Sequence, residues 1–161
     1  MLKKVRKGFT LVELLIVIVI IGILAAAMLL SSGSATDSAE ASNIVTNLRG
    51  MKSASLMFFA DSMDIVQGSF TFGDTYLPNV ARYMDNPAAI TTTAGYTLGQ
   101  SSENWFVGVN LSNAVPGREA RIATRLAGRA KSVGLFSSAA NTTTGEGNFA
   151  AADRTVWMIA R

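Results

Sequence analysis

The sequence predicts an α+β protein in which a long amino-terminal helix, membrane-spanning over its first half, packs on a small antiparallel sheet. Three observations support this prediction. A run of apolar residues occupies positions 9–30, apolar residues recur at helical spacing over positions 41–59, and short runs rich in β-branched and aromatic residues follow position 61. A long helix followed by a small sheet is an α+β arrangement.

Residues 9–30, here called the apolar segment, are interrupted only by Thr10 and Glu13. As a helix, this segment reaches roughly 33 Å at about 1.5 Å per residue, enough to cross a hydrocarbon core of about 30 Å. The basic residues before it are Lys3, Lys4, Arg6 and Lys7. By the positive-inside rule they hold the amino terminus in the cytoplasm and place the chain after residue 30 across the membrane.

Glu13 does not fit an ordinary signal peptide or membrane anchor. The apolar segment is longer than the apolar region of a signal peptide, and the small residues at 25–27 lie inside it. A carboxylate at the bilayer centre costs about 2.5–3.5 kcal/mol, and less near the interface, so Glu13 is expected to have a partner. Two alternatives need no second molecule: Glu13 extends to the headgroups, or it pairs with an amine of its own chain one turn away.

The segment KGFTLVELLIV at 7–17 closely resembles the processing segment of type IV prepilins and type II secretion pseudopilins. The resemblance, which covers residues 3–30, implies that a prepilin peptidase cuts between Gly8 and Phe9 and methylates the new amine of Phe9. It also implies a pilin-like fold, and it implies that Glu13 assists assembly by pairing with the terminal amine of a neighbouring subunit. This role agrees with electrostatics, because a carboxylate offsets the repulsion of a cation at the positive end of a helix.

The chain is predicted to have four parts: a leader at 1–8, the membrane-spanning half of the helix at 9–30, its amphipathic half at 31–60, and a globular head at 61–161. The core-facing positions of the amphipathic half are Ala41, Ile44, Val45, Leu48, Met51, Ser55, and Phe58 or Phe59. Residues 31–34, Ser-Ser-Gly-Ser, weaken a helix. Either Asp37 and Glu40 therefore cap a second helix, or one helix runs through from Phe9.

The head is predicted to contain three strands, at 68–72, 105–109 and 154–160, and one helix at 118–132. The inward-facing side chains of this helix are Ile122, Leu126 and Val133. Trp105 and Trp157 are expected to lie in the core.

The helix at 118–132 also carries a concentration of basic residues. The candidate patch consists of Arg118, Arg121, Arg125 and Arg129, with Lys131 nearby. A spacing of four aligns arginines on one helix face, which suits phosphate contact. We favour a solvated face or pairing with acidic residues of an adjacent subunit, because no aromatic residue is interleaved with the arginines. A functional filament contact and a nucleic-acid site are the alternatives, and nucleic acid is not expected as a partner.

The composition excludes several kinds of active site. The 161 residues include no cysteine and no histidine, so the chain cannot form a Ser-His-Asp or Cys-His nucleophile, a zinc site of His or thiolate ligands, or a disulfide. Some pseudopilins bind calcium near the carboxyl terminus, but Glu146, Asn148 and Asp153 lack the spacing of a calcium loop. We expect no enzymatic activity, no cofactor, no metal and no small-molecule substrate.

These features predict a structural subunit of a type IV pilus filament, cleaved after Gly8, methylated at Phe9 and polymerised through its apolar helix. One alternative is a pseudopilin of a type II secretion system. The absence of cysteine bears on this choice. Many pilins close a carboxyl-terminal loop with a disulfide, and the absence of cysteine argues against placing this chain in that subclass. The other alternative is a membrane-anchored protein without a filament role.

By the resemblance, the partners are a prepilin peptidase/N-methyltransferase, identical or homologous subunits, and an inner-membrane assembly platform. The predicted location is first the inner membrane, as a single-pass protein with a cytoplasmic amino terminus, and then an extracellular pilus or an envelope pseudopilus. Removal of residues 1–8 takes away four of the 14 basic residues and none of the 11 acidic ones, which changes the net charge from +3 to −1. The basic character of the whole chain, with its pI of about 9.5, therefore belongs to the leader.

Overall fold

The computed structural model describes residues 8–62, 71–101, 104–138 and 147–161. The helices in this part of the chain are α1 (Leu11–Asp61), α2 (Leu77–Ala81), α3 (Leu111–Ala114), α4 (Glu119–Ala127) and α5 (Ala130–Val133). The strands are β1 (Tyr96–Ser101), β2 (Asn104–Asn110) and β3 (Thr155–Ile159). The chain divides into two compact units, Met1–Thr36 and Asp37–Arg161, and we call the second the globular unit.

The first unit contains the apolar part of α1, whose described side chains are exposed throughout. Phe9 is 89% exposed, and even the least exposed large apolar side chains between positions 11 and 29 are half exposed. By length and composition, α1 is the one helix among the described residues that could cross a membrane. An apolar surface of this length requires lipid or other apolar surfaces around it.

In the globular unit, one face of α1 forms part of the core. The predicted core-facing positions are confirmed, because Ala41, Ile44, Val45, Leu48, Met51, Ser55 and Phe58 are all buried, and Phe59 is partly buried. Ala54 is an additional buried position. A second helix capped by Asp37 is not observed: α1 is a single element from Leu11 to Asp61, and the Asp37 side chain is buried and paired instead of capping.

The sheet is antiparallel, in the order β1-β2-β3, and this confirms the predicted α+β class. The inner face of β2 supplies Trp105, Val107 and Val109 to the core that α1 enters. Strands β2 and β3 agree with the predictions at 105–109 and 154–160. Strand β1 was not predicted, because its sequence YTLGQS contains Gly99 and Gln100 in place of a strong β-forming alternation.

The predicted strand at 68–72 is not confirmed. Residues 68–70 lie outside the described residues, and Thr71 and Phe72 are not in a strand. Phe72 is held by other contacts: its amide donates to Gln100 Oε1 at 2.7 Å, and its ring stacks on Trp105 with 4.1 Å between centroids. Phe72 therefore serves core packing and not a β ladder.

The prediction of a single helix at 118–132 is wrong, because this part of the chain forms two helices, α4 and α5. Helix α4 ends at Gly128, whose lack of a side chain lowers helix propensity, and α5 ends at Gly134 in the left-handed conformation with φ of 76°. The predicted inward positions hold: Ile122 and Leu126 are fully buried, and Val133 is partly buried against the core.

The two tryptophans lie on different faces of the sheet. Trp105 is buried in the core as predicted, whereas Trp157 is half-buried on the opposite face, which corrects the prediction. The Trp157 ring lies over Gly108, where an added Cβ would come within 2.6 Å of a ring carbon, and it also covers Gly99. Because glycine has no side chain, the indole can lie directly on the backbone at these two positions. The sequence pattern alone does not show that Trp157 packs on these glycines.

Candidate functional site

The proposed cleavage site lies immediately before the first turn of α1. Residues 8–10 are not helical, Gly8 and Phe9 are exposed, and a Cβ added at Gly8 would meet no atom within 4 Å. An exposed, non-helical peptide bond is open to a protease. The four basic residues of the leader, at positions 3, 4, 6 and 7, lie outside the described residues.

Glu13 forms a capping box with Thr10 at the start of α1. The backbone amide and the hydroxyl of Thr10 each donate to Glu13 Oε2 at 2.8 Å, and the Glu13 amide donates back to Thr10 Oγ1 at 3.2 Å. This reciprocal arrangement satisfies amide groups that have no partner in the first turn of a helix. The Glu13 side chain thus has a fixed partner within its own chain.

Thr10 is a site residue that the sequence reasoning missed. The signal was available, because Thr-x-x-Glu directly before an apolar run is the capping-box pattern. The carboxylate is held at the positive end of the helix dipole, where a negative charge is stabilising. Cleavage between Gly8 and Phe9 leaves the Thr10 amide intact. The hydrogen bond from this amide to Glu13 Oε2 is therefore possible in both the uncut and the cut chain.

The arginines of the candidate patch contact α1 at the beginning of the globular unit. Arg121 Nε donates to Asp37 Oδ2 at 2.7 Å, and Arg118 Nη1 lies 3.7 Å from Asp37 Oδ1. Arg118 Nη2 also lies 3.7 Å from Glu40 Oε2. These ion pairs are within the chain, a possibility that the sequence analysis did not include.

Asp37 explains why two arginines converge here. Its side chain is 6% exposed, and a buried carboxylate is strongly disfavoured unless it is paired and hydrogen-bonded. Further along the patch, Arg129 Nη1 donates to Ser42 Oγ at 3.0 Å, while the side chains of Arg125 and Lys131 are exposed. Part of the patch therefore anchors α4 and α5 to α1.

Replacing Arg121 by glutamine is expected to destabilise the globular unit by about 1–3 kcal/mol, because the Asp37 carboxylate stays buried and loses its shortest charged hydrogen bond. Arg49→Gln removes the same charge from an exposed position of α1 and is expected to change the free energy of unfolding by about 0.5 kcal/mol or less. Urea unfolding of the full chain in detergent micelles measures both. Equal effects of the two variants would show that the Asp37 contact does not stabilise the fold.

A groove with a volume of about 420 Å³ lies beside α2. Its lining is mainly apolar, and Asp74 is the one titratable side chain among the residues that line it. Asp74 Oδ1 is already an acceptor for the Thr97 hydroxyl and the Leu98 amide. No group of three or more potential metal ligands occurs among the described residues. The groove thus offers no pair of groups for acid-base chemistry.

Comparison with protein-family models matches residues 3–29 to the prokaryotic N-terminal methylation motif. This motif is the hallmark of type IV pilin and pseudopilin precursors, which are structural subunits, and it implies processing by prepilin peptidase and assembly with pilin subunits. The motif and the long apolar helix together fit a membrane-anchored protein of this kind. Searches of curated proteins and of solved structures found no match.

Proposed function

We propose that the chain is a structural subunit of a type IV pilus filament, cleaved after Gly8, methylated on the amine of Phe9 and polymerised through its apolar segment. The observation that carries the proposal is the position of the methylation motif at the start of an apolar helix whose described large side chains are at least half exposed. In this scheme the apolar segment is stored in the membrane and then packs against the apolar segments of other copies.

Burial of the apolar segment supplies the free energy of assembly. Each square ångström of apolar surface removed from water contributes about 25 cal/mol, and the large apolar side chains between positions 11 and 29 are at least half exposed. Lipid covers this apolar surface before assembly. In the filament, close contacts between helices must therefore pack against it about as well as lipid does. Gly22, where a Cβ would meet no atom within 4 Å, leaves room for another helix to approach closely.

Glu13 makes the transfer from lipid to filament selective for processed chains. Cleavage converts the neutral amide of Phe9 into an amine that is cationic near neutral pH, and a single methyl group leaves that charge in place. A neighbouring Glu13 carboxylate then forms a charge-assisted pair with it in a low-dielectric environment. The Thr10 hydrogen bonds to Oε2 hold the carboxylate at the end of α1, so it is positioned before the neighbour arrives.

The membrane topology follows from the charges around the apolar segment. The leader carries Lys3, Lys4, Arg6 and Lys7 and stays in the cytoplasm, where the peptidase/N-methyltransferase acts on it. The globular unit then lies across the membrane, and the inner-membrane assembly platform adds processed subunits to the growing filament. The final location in this proposal is an extracellular pilus.

A pseudopilin of a type II secretion system is the second candidate, and the absence of cysteine favours it. Pilins that close a carboxyl-terminal loop with a disulfide need two cysteines, and this chain has none. A pseudopilus would use the same processing and the same helix packing but would end within the envelope. The two candidates differ in where the polymer is found.

Shearing of cells separates the two candidates. We expect this chain to be recovered, without residues 1–8, from the extracellular fibres of sheared cells and to be absent from the same fraction of cells that lack the prepilin peptidase. Electron microscopy with an antibody against the globular unit identifies the fibres. If the chain is found only in the cell envelope at normal expression, the pseudopilin alternative replaces the pilus.

A further inference from the structure

Strand β1 presents backbone amides on the side that faces away from β2. In the described part of the chain β1 is an edge strand, because the sheet has the order β1-β2-β3. The Asn110 amide donates to the Gly95 carbonyl at 2.8 Å, and this bond fixes the alternation along the ladder. The amides of Tyr96 and Leu98 therefore point away from β2. Outward amides of an edge strand are the groups with which another strand pairs.

Both of these outward amides already have acceptors within the globular unit. The Tyr96 amide donates to the Thr91 carbonyl at 3.1 Å. The Leu98 amide donates to Asp74 Oδ1 at 2.6 Å, and the same oxygen accepts from the Thr97 hydroxyl at 2.7 Å. The Asp74 carboxylate thus occupies the place that a carbonyl oxygen of an added strand would take. Hydrogen bonds to a carboxylate are roughly twice as strong as those to a neutral oxygen, so an added strand does not displace it easily.

Asp74 is held beside β1 by the packing of α2. It begins a short 3₁₀ turn, Asp74–Tyr76, that leads directly into α2. Leu77 and Val80 on α2 are buried in the core, so this turn cannot leave β1 without disturbing packed side chains. Asp74 itself is exposed, and its carboxylate therefore reaches the Leu98 amide without the large cost of burying a charge.

A closed edge matters for a chain that is stored in many copies in one membrane. Copies that share a membrane meet at high effective concentration, and contacts that are weak in dilute solution then become populated. An open strand edge is a template for pairing with another chain, and a second copy supplies an identical strand. Pairing between sheets would compete with the packing of apolar segments that builds the proposed filament.

We propose that Asp74 prevents β1 from pairing with β1 of a second copy, so that globular units do not associate through their sheets. The proposal rests on the membrane-stored stage of the proposed function, in which copies of the chain are crowded before assembly. Asp74 in this scheme determines which contacts between subunits are possible: it closes the sheet edge and leaves the apolar segments as the surfaces that associate.

Hydrogen exchange at the Leu98 amide, measured by NMR on the full chain with one copy per nanodisc, reports whether the edge is open. Replacing Asp74 by alanine should speed this exchange roughly ten- to hundredfold, because the amide loses its hydrogen bond to a charged acceptor. Asp74→Asn keeps an acceptor oxygen and should retain most of the protection. Asp85→Ala is the matched control at another exposed aspartate and should leave exchange at Leu98 unchanged.

Several copies per nanodisc then test whether an open edge recruits a second copy. In Asp74→Ala, exchange at Leu98 should become slower again, because β1 of the second copy supplies an acceptor. In the wild-type chain and in Asp85→Ala it should be the same at both copy numbers. The chain has no cysteine, so Ser53→Cys on an exposed position of α1 gives a single site for fluorophores. Energy transfer between labelled copies should be higher in Asp74→Ala than in the other two chains.

Equal exchange at Leu98 in the wild-type chain and Asp74→Ala would overturn the proposal, because Asp74 would not close the edge. Fast exchange that is the same at both copy numbers, without increased energy transfer, would overturn it as well, because the open edge would recruit no second copy. If the Val109 amide on β2 loses protection to the same extent, Asp74 stabilises the whole globular unit and the proposal is wrong. These measurements need no fibres, so their outcome is independent of the shearing experiment that tests the filament function.

Discussion

Replacing Glu13 by alanine is expected to reduce the yield of sheared fibres by tenfold or more, without reducing the amount of chain in the membrane or its cleavage after Gly8. The proposed pair between Glu13 and a neighbouring Phe9 amine is a hydrogen bond between charged groups, which contributes about 1.5–3 kcal/mol, or roughly ten- to hundredfold, to each subunit addition. Quantitative immunoblotting of sheared and membrane fractions measures the three quantities.

Two further variants separate the charge of Glu13 from its capping role. Glu13→Gln keeps an oxygen that can accept from the Thr10 amide and hydroxyl, but it removes the negative charge. Thr10→Val removes the hydroxyl and keeps the Glu13 charge. If charge pairing drives assembly, fibres should be lost in Glu13→Gln and reduced less in Thr10→Val. Equal fibre yields from the wild-type chain and Glu13→Ala would contradict the assembly role of Glu13.

Replacing Leu48 by alanine is expected to destabilise the globular unit by about 2–5 kcal/mol. Leu48 is fully buried on the face of α1 that enters the core, so truncation leaves a cavity among well-packed side chains. Denaturant unfolding of the full chain in micelles, followed by tryptophan fluorescence, reports on this unit because Trp105 and Trp157 both lie within it.

Leu56→Ala is the matched control, because Leu56 lies on the same helix and is 42% exposed. The same substitution is expected to change the free energy of unfolding by about 1 kcal/mol or less, since most surface substitutions have small effects. A similar loss of stability in both variants would show that α1 does not use the face centred on Leu48 to form the core.

The sequence was sufficient to predict the parts of the fold that depend on local residue patterns. Leu48 and Met51 lie on the face that helical spacing predicted, and β2 and β3 follow the β-branched and aromatic runs. The first turn of α1 was also predictable, because Thr10 and Glu13 have capping-box spacing. The methylation motif at 3–29 was equally accessible as a local signal.

The contacts that the sequence did not predict join positions far apart in the chain. Asp37 and Arg121 are 84 residues apart, and only folding shows that a buried carboxylate meets this arginine. Gly108 on β2 lies opposite Trp157 on the neighbouring strand β3. This pairing depends on the register of the two strands and not on the composition of either strand. Strand β1 exists because β2 pairs with it, and this tertiary contact outweighs its weak local propensity.

The mass of the mature chain tests the account most directly. Intact-mass spectrometry of the chain purified from membranes or fibres should give the mass of residues 9–161 plus one methyl group, and fragmentation should place that methyl group on the amine of Phe9. In a strain that lacks the prepilin peptidase, the mass should be that of the uncut, unmethylated chain. A chain that still begins at Met1 in the wild-type strain would contradict processing and, with it, the proposed filament function.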